Sequence, residues 1–161
     1  MSNVDSKILE KITAYQNSLN EIQKRRSIWN ETTKDLIFDT LTEIKDIKNL
    51  DWRVQKVEVV NNLHNVNLSF NKSHSGITQD SEVYLKFGGT LFFSQHYNGT
   101  ISIFMEFPYV ENWISEAEVL EFENTLPEKI TEEYIKNQVV RFLDAIIKWE
   151  QSLSLNPIGY K

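Results

Sequence analysis

From Ser6 to about Leu50 the chain contains neither glycine nor proline, and its apolar residues there recur at helical intervals. Ile8, Ile12, Tyr15, Leu19 and Ile22 step by 4-3-4-3, the narrow stripe of a helix that meets another helix. The stripe meets Arg26, resumes at Trp29, meets Thr33 and continues through Ile37, Leu41, Ile44 and Ile47. One unbroken helix of that span is about 65 Å long at ~1.5 Å per residue. A globule of 161 residues has a radius of gyration of only about 15 Å. So the helix either breaks or projects and pairs with another copy. Asn30 is suited to cap a second helix, and the interruptions at Arg26 and Thr33 favour a break or bend near them. A projecting coiled coil is the alternative.

After Asp51 the period changes to two. Trp52 to Val60 reads as a strand, and Val66, Leu68 and Phe70 form one face of a second. NKSHSGITQDS reads as a polar loop. Gly88-Gly89 and Asn98-Gly99 read as two-residue hairpin turns, and register follows because the side-chain period is two. Phe87 then pairs with Thr90, Leu85 with Phe92, Val83 with Ser94, Tyr97 with Thr100 and Phe93 with Phe104. The core face of this meander is Val83, Leu85, Phe87, Phe92, Ser94, His96, Ile101, Ile103, Met105 and Phe107. The opposite face carries a cross-strand aromatic row, Tyr84, Phe93 and Phe104.

Pro108 ends the last of these strands, and PYVENWISE is a loop anchored by Trp113 and Ile114. Val119 to Glu123 fits an edge strand, with Leu120 and Phe122 inward and Glu121 and Glu123 outward. The final element is a helix over 131–153. Thr131 is its N-cap, and Ile130 and Ile135 form a hydrophobic staple. Its apolar stripe runs through Ile135, Val139, Phe142, Ile146, Trp149 and Leu153, broadened by Val140, Leu143 and Ile147, and Asn156-Pro157 stops it. The expected architecture is one α+β domain over 1–161. It consists of a long N-terminal helix or helix pair over 5–50, an antiparallel meander of five to six strands over 52–124, and a C-terminal helix packed on the sheet.

Composition narrows the function. The net charge is −6, and from Glu106 to Glu133 nine acidic residues face one lysine, Lys129. Nucleic-acid binding needs a basic surface, and the basic knot Lys24-Arg25-Arg26 is too small to supply one. The chain has no cysteine, which excludes a disulfide framework and any thiolate ligand or nucleophile. No apolar run approaches the ~18 residues of a membrane span. With no basic-then-apolar leader at the start, the expected compartment is the cytoplasm.

Candidate chemistry is sparse. His96, placed on the core face beside Ser94, has both Glu82 and Glu106 on the other face, so no carboxylate orients it. It reads as a buried structural histidine. His64 and His74 match no metal spacing. Ser73, His74, Ser75 and Asp80 are ordinary loop residues with no strand-turn-helix context. The acidic run lacks the spacing of a cation loop, and no metal or cofactor is expected.

Two surfaces ask for a partner. One is the helical stripe, with Ile8, Tyr15, Ile22 and Trp29 as contact residues. The other is the aromatic row Tyr84, Phe93 and Phe104. The expected function is non-enzymatic protein–protein contact, chaperone- or adaptor-like, as a homodimer or with another protein. In element order and charge the outline resembles the small acidic α+β dimers that act as secretion chaperones, a likeness of fold alone. The alternative is a small-molecule-binding or hydrolytic domain with a pocket at Ser94, His96 and Tyr97.

Overall fold

The computed structural model describes residues 2–49, 51–60, 62–111 and 118–152. Its first element is one continuous rod. α1 (Asn3–Ile28) passes through a π turn (Trp29–Thr33) into α2 (Lys34–Asp46), and Ile28, Trp29, Thr33 and Lys34 all keep right-handed helical dihedrals. Ser2 and Asp5 close a capping box at its start. The expected break near Arg26–Thr33 is not a break, and Asn30 caps nothing. It is a widened turn, in which the Lys34 N–H bonds to the Trp29 carbonyl five residues back.

That turn has a cause in the sequence. Continuing the 4-3 rhythm past Trp29 and Thr33 calls for apolar residues at 36, 40 and 43. The buried apolar residues are instead Ile37 and Leu41, one place later. A π turn absorbs one extra residue, so both halves of the rod keep their apolar side on the same line.

The strands are antiparallel, as expected, and the described residues hold eight of them, divided between two sheets. The larger sheet has the order β1 (Trp52–Val60), β2 (Leu63–Phe70), β5 (Thr90–Gln95), β6 (Ile101–Glu106), β8 (Val119–Thr125). The smaller has the order β3 (Ser73–Gln79), β4 (Glu82–Phe87), β7 (Tyr109–Val110). The NKSHSGITQDS segment is therefore mostly strand. β3 and β4 form a hairpin about Asp80-Ser81, both at positive φ (51° and 68°), the two-residue turn whose backbone twist suits a hairpin.

Gly88-Gly89 does not close a hairpin. It carries the chain from the small sheet into the large one, so β4 and β5 never pair. Both glycines have positive φ. A Cβ on Gly89 would stand 2.8 Å from the Phe70 ring, while the Gly89 carbonyl accepts from the Phe70 N–H at 3.0 Å. Glycine is used here for close approach at a corner.

The core lies between one face of the large sheet and the helices α2 and α3 (Glu132–Glu150). Val66, Leu68, Leu91, Phe93, Ile101, Ile103 and Met105 rise from the strands to meet Trp29, Ile37, Leu41, Ile135, Val139 and Phe142. Thr131 caps α3, accepting from the Tyr134 N–H at 3.1 Å. α3 is narrower than expected: Val140 and Ile147 are exposed, so the helix is covered on one side only. β8 is the edge strand expected. A bulge beside Phe122 turns Glu123 toward α3, where Gln138 donates to it at 2.9 Å. Trp113, Ile114, Leu153 and Asn156-Pro157 lie outside the described residues.

Candidate functional site

α1 leaves the domain before it has finished burying its apolar stripe. None of its residues is buried. Val4, Ile8, Leu9, Ile12, Tyr15 and Leu19 are 65%, 51%, 51%, 47%, 64% and 40% exposed. Together they leave on the order of 500–600 Å² of apolar surface on one helix, at the top of the ~300–600 Å² of the largest patch on an ordinary monomer. Val4, Ile8, Ile12 and Tyr15, flanked by the stems of Lys7 and Lys11, form one open apolar face. A helix of five turns with no tertiary contact is marginal in water. The surface is thus both apolar and in need of support.

The rod re-enters the fold at Ile22. From there the tip of the β5–β6 hairpin sits on it. Arg25 donates to the Asn98 carbonyl at 3.3 Å, and Arg26 Nε donates to the Tyr97 carbonyl at 3.0 Å. The Arg26 guanidinium also lies 5.2 Å from the Tyr97 ring centre, in cation–π range. Trp29, two turns beyond Ile22 on the same line, is fully buried in the core. Of the four contact residues expected on the stripe, Ile8 and Tyr15 face solvent, Ile22 is half-buried at the junction, and Trp29 is core.

The expected aromatic row does not form. Tyr84 stands in the small sheet and Phe93 is fully buried in the core, whereas Phe104 is on the opposite face of the large sheet. The corner at Gly88-Gly89 removes Tyr84, and a slip of one residue parts Phe93 from Phe104. The hairpin loop is three residues long, Tyr97 to Gly99, closed by Gly99 N–H to His96 O at 3.0 Å and His96 N–H to Thr100 O at 2.8 Å. Phe93 therefore pairs with Ile103 and Phe92 with Phe104, and β5 presents the opposite face from the one expected. Phe92 and Phe104 stack at 4.8 Å with their planes 13° apart. Rings stacked on each other across strands stand upright and offer edges, not a flat platform.

The same slip moves the alternative pocket. Ser94 pairs with Ser102 across the hairpin, and Tyr97 lies against Arg26. His96 is exposed and not buried, and its Nε2 lies 2.6 Å from Ser102 Oγ. Ser102 in turn donates to Asn124 Oδ1 on β8. This trio was hidden because the two-residue reading of the turn put His96 and Ser102 on different faces. In the arrangement seen, the Ser102 hydroxyl donates to the Asn124 amide oxygen, and the role of Nε2 toward Ser102 is set by the imidazole tautomer. A nucleophilic serine needs its proton toward the histidine instead, and a carboxylate behind the ring. The trio ties the hairpin end to β8.

Ser73, His74 and Ser75 lie along β3 with Asp80 in its turn. Ser75 donates to the Tyr84 carbonyl and not to His74. A hollow of about 550 Å³ is lined by Arg53, Phe70, Asn71, Lys72, Phe87 and Gly88, where the two sheets meet. Among the described residues no three His, Asp or Glu side chains are placed to share a metal ion. Nor is any helix among them long and apolar enough to cross a membrane. Comparison with known proteins finds no family model, no curated protein and no solved structure that matches this chain.

Proposed function

We propose that the protein acts without catalysis, by protein–protein contact, with α1 as its docking arm and a second copy of the chain as the occupant. The observation that carries this reading is the 4-3-4 apolar stripe from Ile8 to Leu19, left exposed on a helix that extends beyond the domain. Chemistry of the hydrolytic kind has less support, since the Ser102 hydroxyl donates to Asn124 and no carboxylate among the described residues hydrogen-bonds the His96 ring. The stacked Phe92–Phe104 pair is a minor feature of the same contact-based reading. It is half-buried and edge-on, and much smaller than the stripe. The cytoplasm remains the expected compartment.

The test is solution mass by light scattering on a sizing column for wild type and Ile12→Asp. Ile12 sits at the middle of the stripe and touches nothing in the core, so the variant keeps its fold. Ile22 is less suitable, because it is half-buried at the junction with the hairpin. The expected outcome is about twice the 18.9 kDa chain mass for wild type and the chain mass for Ile12→Asp. A wild-type monomer at tens of micromolar would sink the reading.

A further inference from the structure

We infer that the two copies pair their α1 helices antiparallel, overlapping only over the projecting residues, so that the N-terminal tip of each helix meets the β5–β6 hairpin tip of the other. This rests on the dimer reading above and adds the orientation, which three features of the chain determine.

The first is the direction the stripe faces. Asp5, Ile8, Ile12, Tyr15, Leu19, Ile22, Arg26 and Trp29 lie on one line with steps of three and four, and the helix keeps a regular α pitch through Ile28. Trp29 is buried against the sheet. On a helix of regular pitch such a line drifts by about 20° per heptad, so the exposed part turns gradually away from the sheet, and only its Ile22 end meets the hairpin tip. A second helix laid parallel and in register along that line would run on past Ile22 into the volume of the strands. It would meet the Gly99 backbone first, whose Cβ position is already 3.2 Å from the Ile22 carbonyl. An antiparallel helix stops there.

The second is symmetry. Ile8, Ile12, Tyr15 and Leu19 are spaced 4-3-4, which reads the same in both directions. A two-fold axis through the middle of the stripe sets Ile8 against Leu19 of the second copy, Ile12 against its Tyr15, and Val4 near its Ile22. Isologous contact of this kind is what a closed dimer requires. Two such surfaces bring on the order of 1,100 Å² of apolar area together, and their polar flanks carry the total into the ~1,200–2,000 Å² of stable interfaces.

The third is charge. The stripe is bounded by Asp5 at one end and Arg26 at the other. Parallel pairing sets Asp5 against Asp5 and Arg26 against Arg26, because positions on the line meet their own equivalents. Antiparallel pairing carries each Asp5 to the Arg25-Arg26 end of the other helix, and it sets Lys11 beside Ser18 and Leu9 beside Gln16. No like charges meet.

The chain has no cysteine, so introduced thiols report pairing without background. Full-length Ile8→Cys, unlabelled, and Leu19→Cys, labelled with heavy nitrogen, are mixed, allowed to exchange subunits and oxidised. Covalent dimers are then weighed by mass spectrometry. Both sites are exposed, so neither change threatens the fold. The expected product is the mixed-mass dimer, at least tenfold over either self-linked one. Self-linked Ile8→Cys in excess overturns the orientation while leaving the dimer intact. A wild-type dimer that yields no cross-link at all places the interface off α1 and overturns both readings. A wild-type monomer by light scattering overturns the dimer itself.

Discussion

Replacing Gly99 with alanine tests whether the hairpin tip is seated on the rod where α1 leaves the domain. Gly99 has φ of +80°, and a Cβ there would fall 2.5 Å from Arg25 Cβ and 3.2 Å from the Ile22 carbonyl oxygen. Two costs add. Holding an L-residue in the left-handed region costs about 1–2 kcal/mol. Forcing a methyl group between a strand turn and a helix backbone costs about 1–3 kcal/mol more, since neither neighbour is the free end of a flexible chain. Gly76 supplies the control. Its φ is +84°, but nothing lies within 4 Å of the added Cβ, so Gly76→Ala carries the conformational cost alone. Urea unfolding of both variants at unchanged m separates the two effects. The expected result is a loss of about 2–5 kcal/mol for Gly99→Ala against about 1–2 for Gly76→Ala. In thermal unfolding that excess lowers the midpoint by about 2–4 °C per kcal/mol for a chain of this size. If Gly99→Ala costs no more than Gly76→Ala, the tip is not seated on Ile22 and Arg25, and the junction described above is wrong.

Two further outcomes are expected. Trp29→Ala, in the core, loses about 3–5 kcal/mol of stability in urea, whereas Tyr15→Ala on the same stripe changes the monomer by less than about 0.5 kcal/mol and acts on the dimer instead; equal losses would show that the stripe is not divided between core and solvent. Tyr134 reports on alkaline pH: its hydroxyl is buried, and that burial first, with the Glu123 carboxylate adding to it, raises its pKa above the ordinary phenol range. The fold thus holds that proton to higher pH than the unfolded chain, which releases it near 10, so this contribution is whole below about pH 10 and is lost as pH rises beyond it. Tyr134→Phe flattens that fall in urea midpoints; an unaltered alkaline profile would refute the burial argument.

What was legible in the sequence was whatever depends on neighbours within a few residues. The rod was legible because a stretch without glycine or proline and with a 3.5-residue rhythm has one regular conformation open to it. Thr131, Ile130 and Ile135 announced the start of α3 for the same reason. Val66 and Leu68, Ile101 and Ile103 alternated correctly. The slip in rhythm between Trp29 and Ile37 was also visible, although its resolution as a π turn and not a break was not. The apolar stripe on α1 was legible as a stripe; the structure leaves Ile8, Ile12, Tyr15 and Leu19 exposed but half-buries Ile22 and buries Trp29.

The errors gather where distant segments decide. A glycine pair carries no mark of whether it turns a hairpin or changes sheets, and at Gly88-Gly89 the Phe70 ring 2.8 Å from the absent Cβ settles it. Asp80-Ser81 makes a hairpin without the usual asparagine-glycine signal, which hid β3. At the β5–β6 turn one extra loop residue reversed every side chain of β5, sending Phe93 inward and His96 out to meet Ser102. The sequence by itself determined the helices, the antiparallel strands and the apolar line along α1, because propensity, capping and periodicity act over one or two turns. Only the tertiary structure decided where along that line burial stops, at the junction of Ile22 with the hairpin tip. The reason is physical: a stripe is equally apolar along its length, and it becomes core or contact surface according to whether a sheet built from residues far along the chain lies against it.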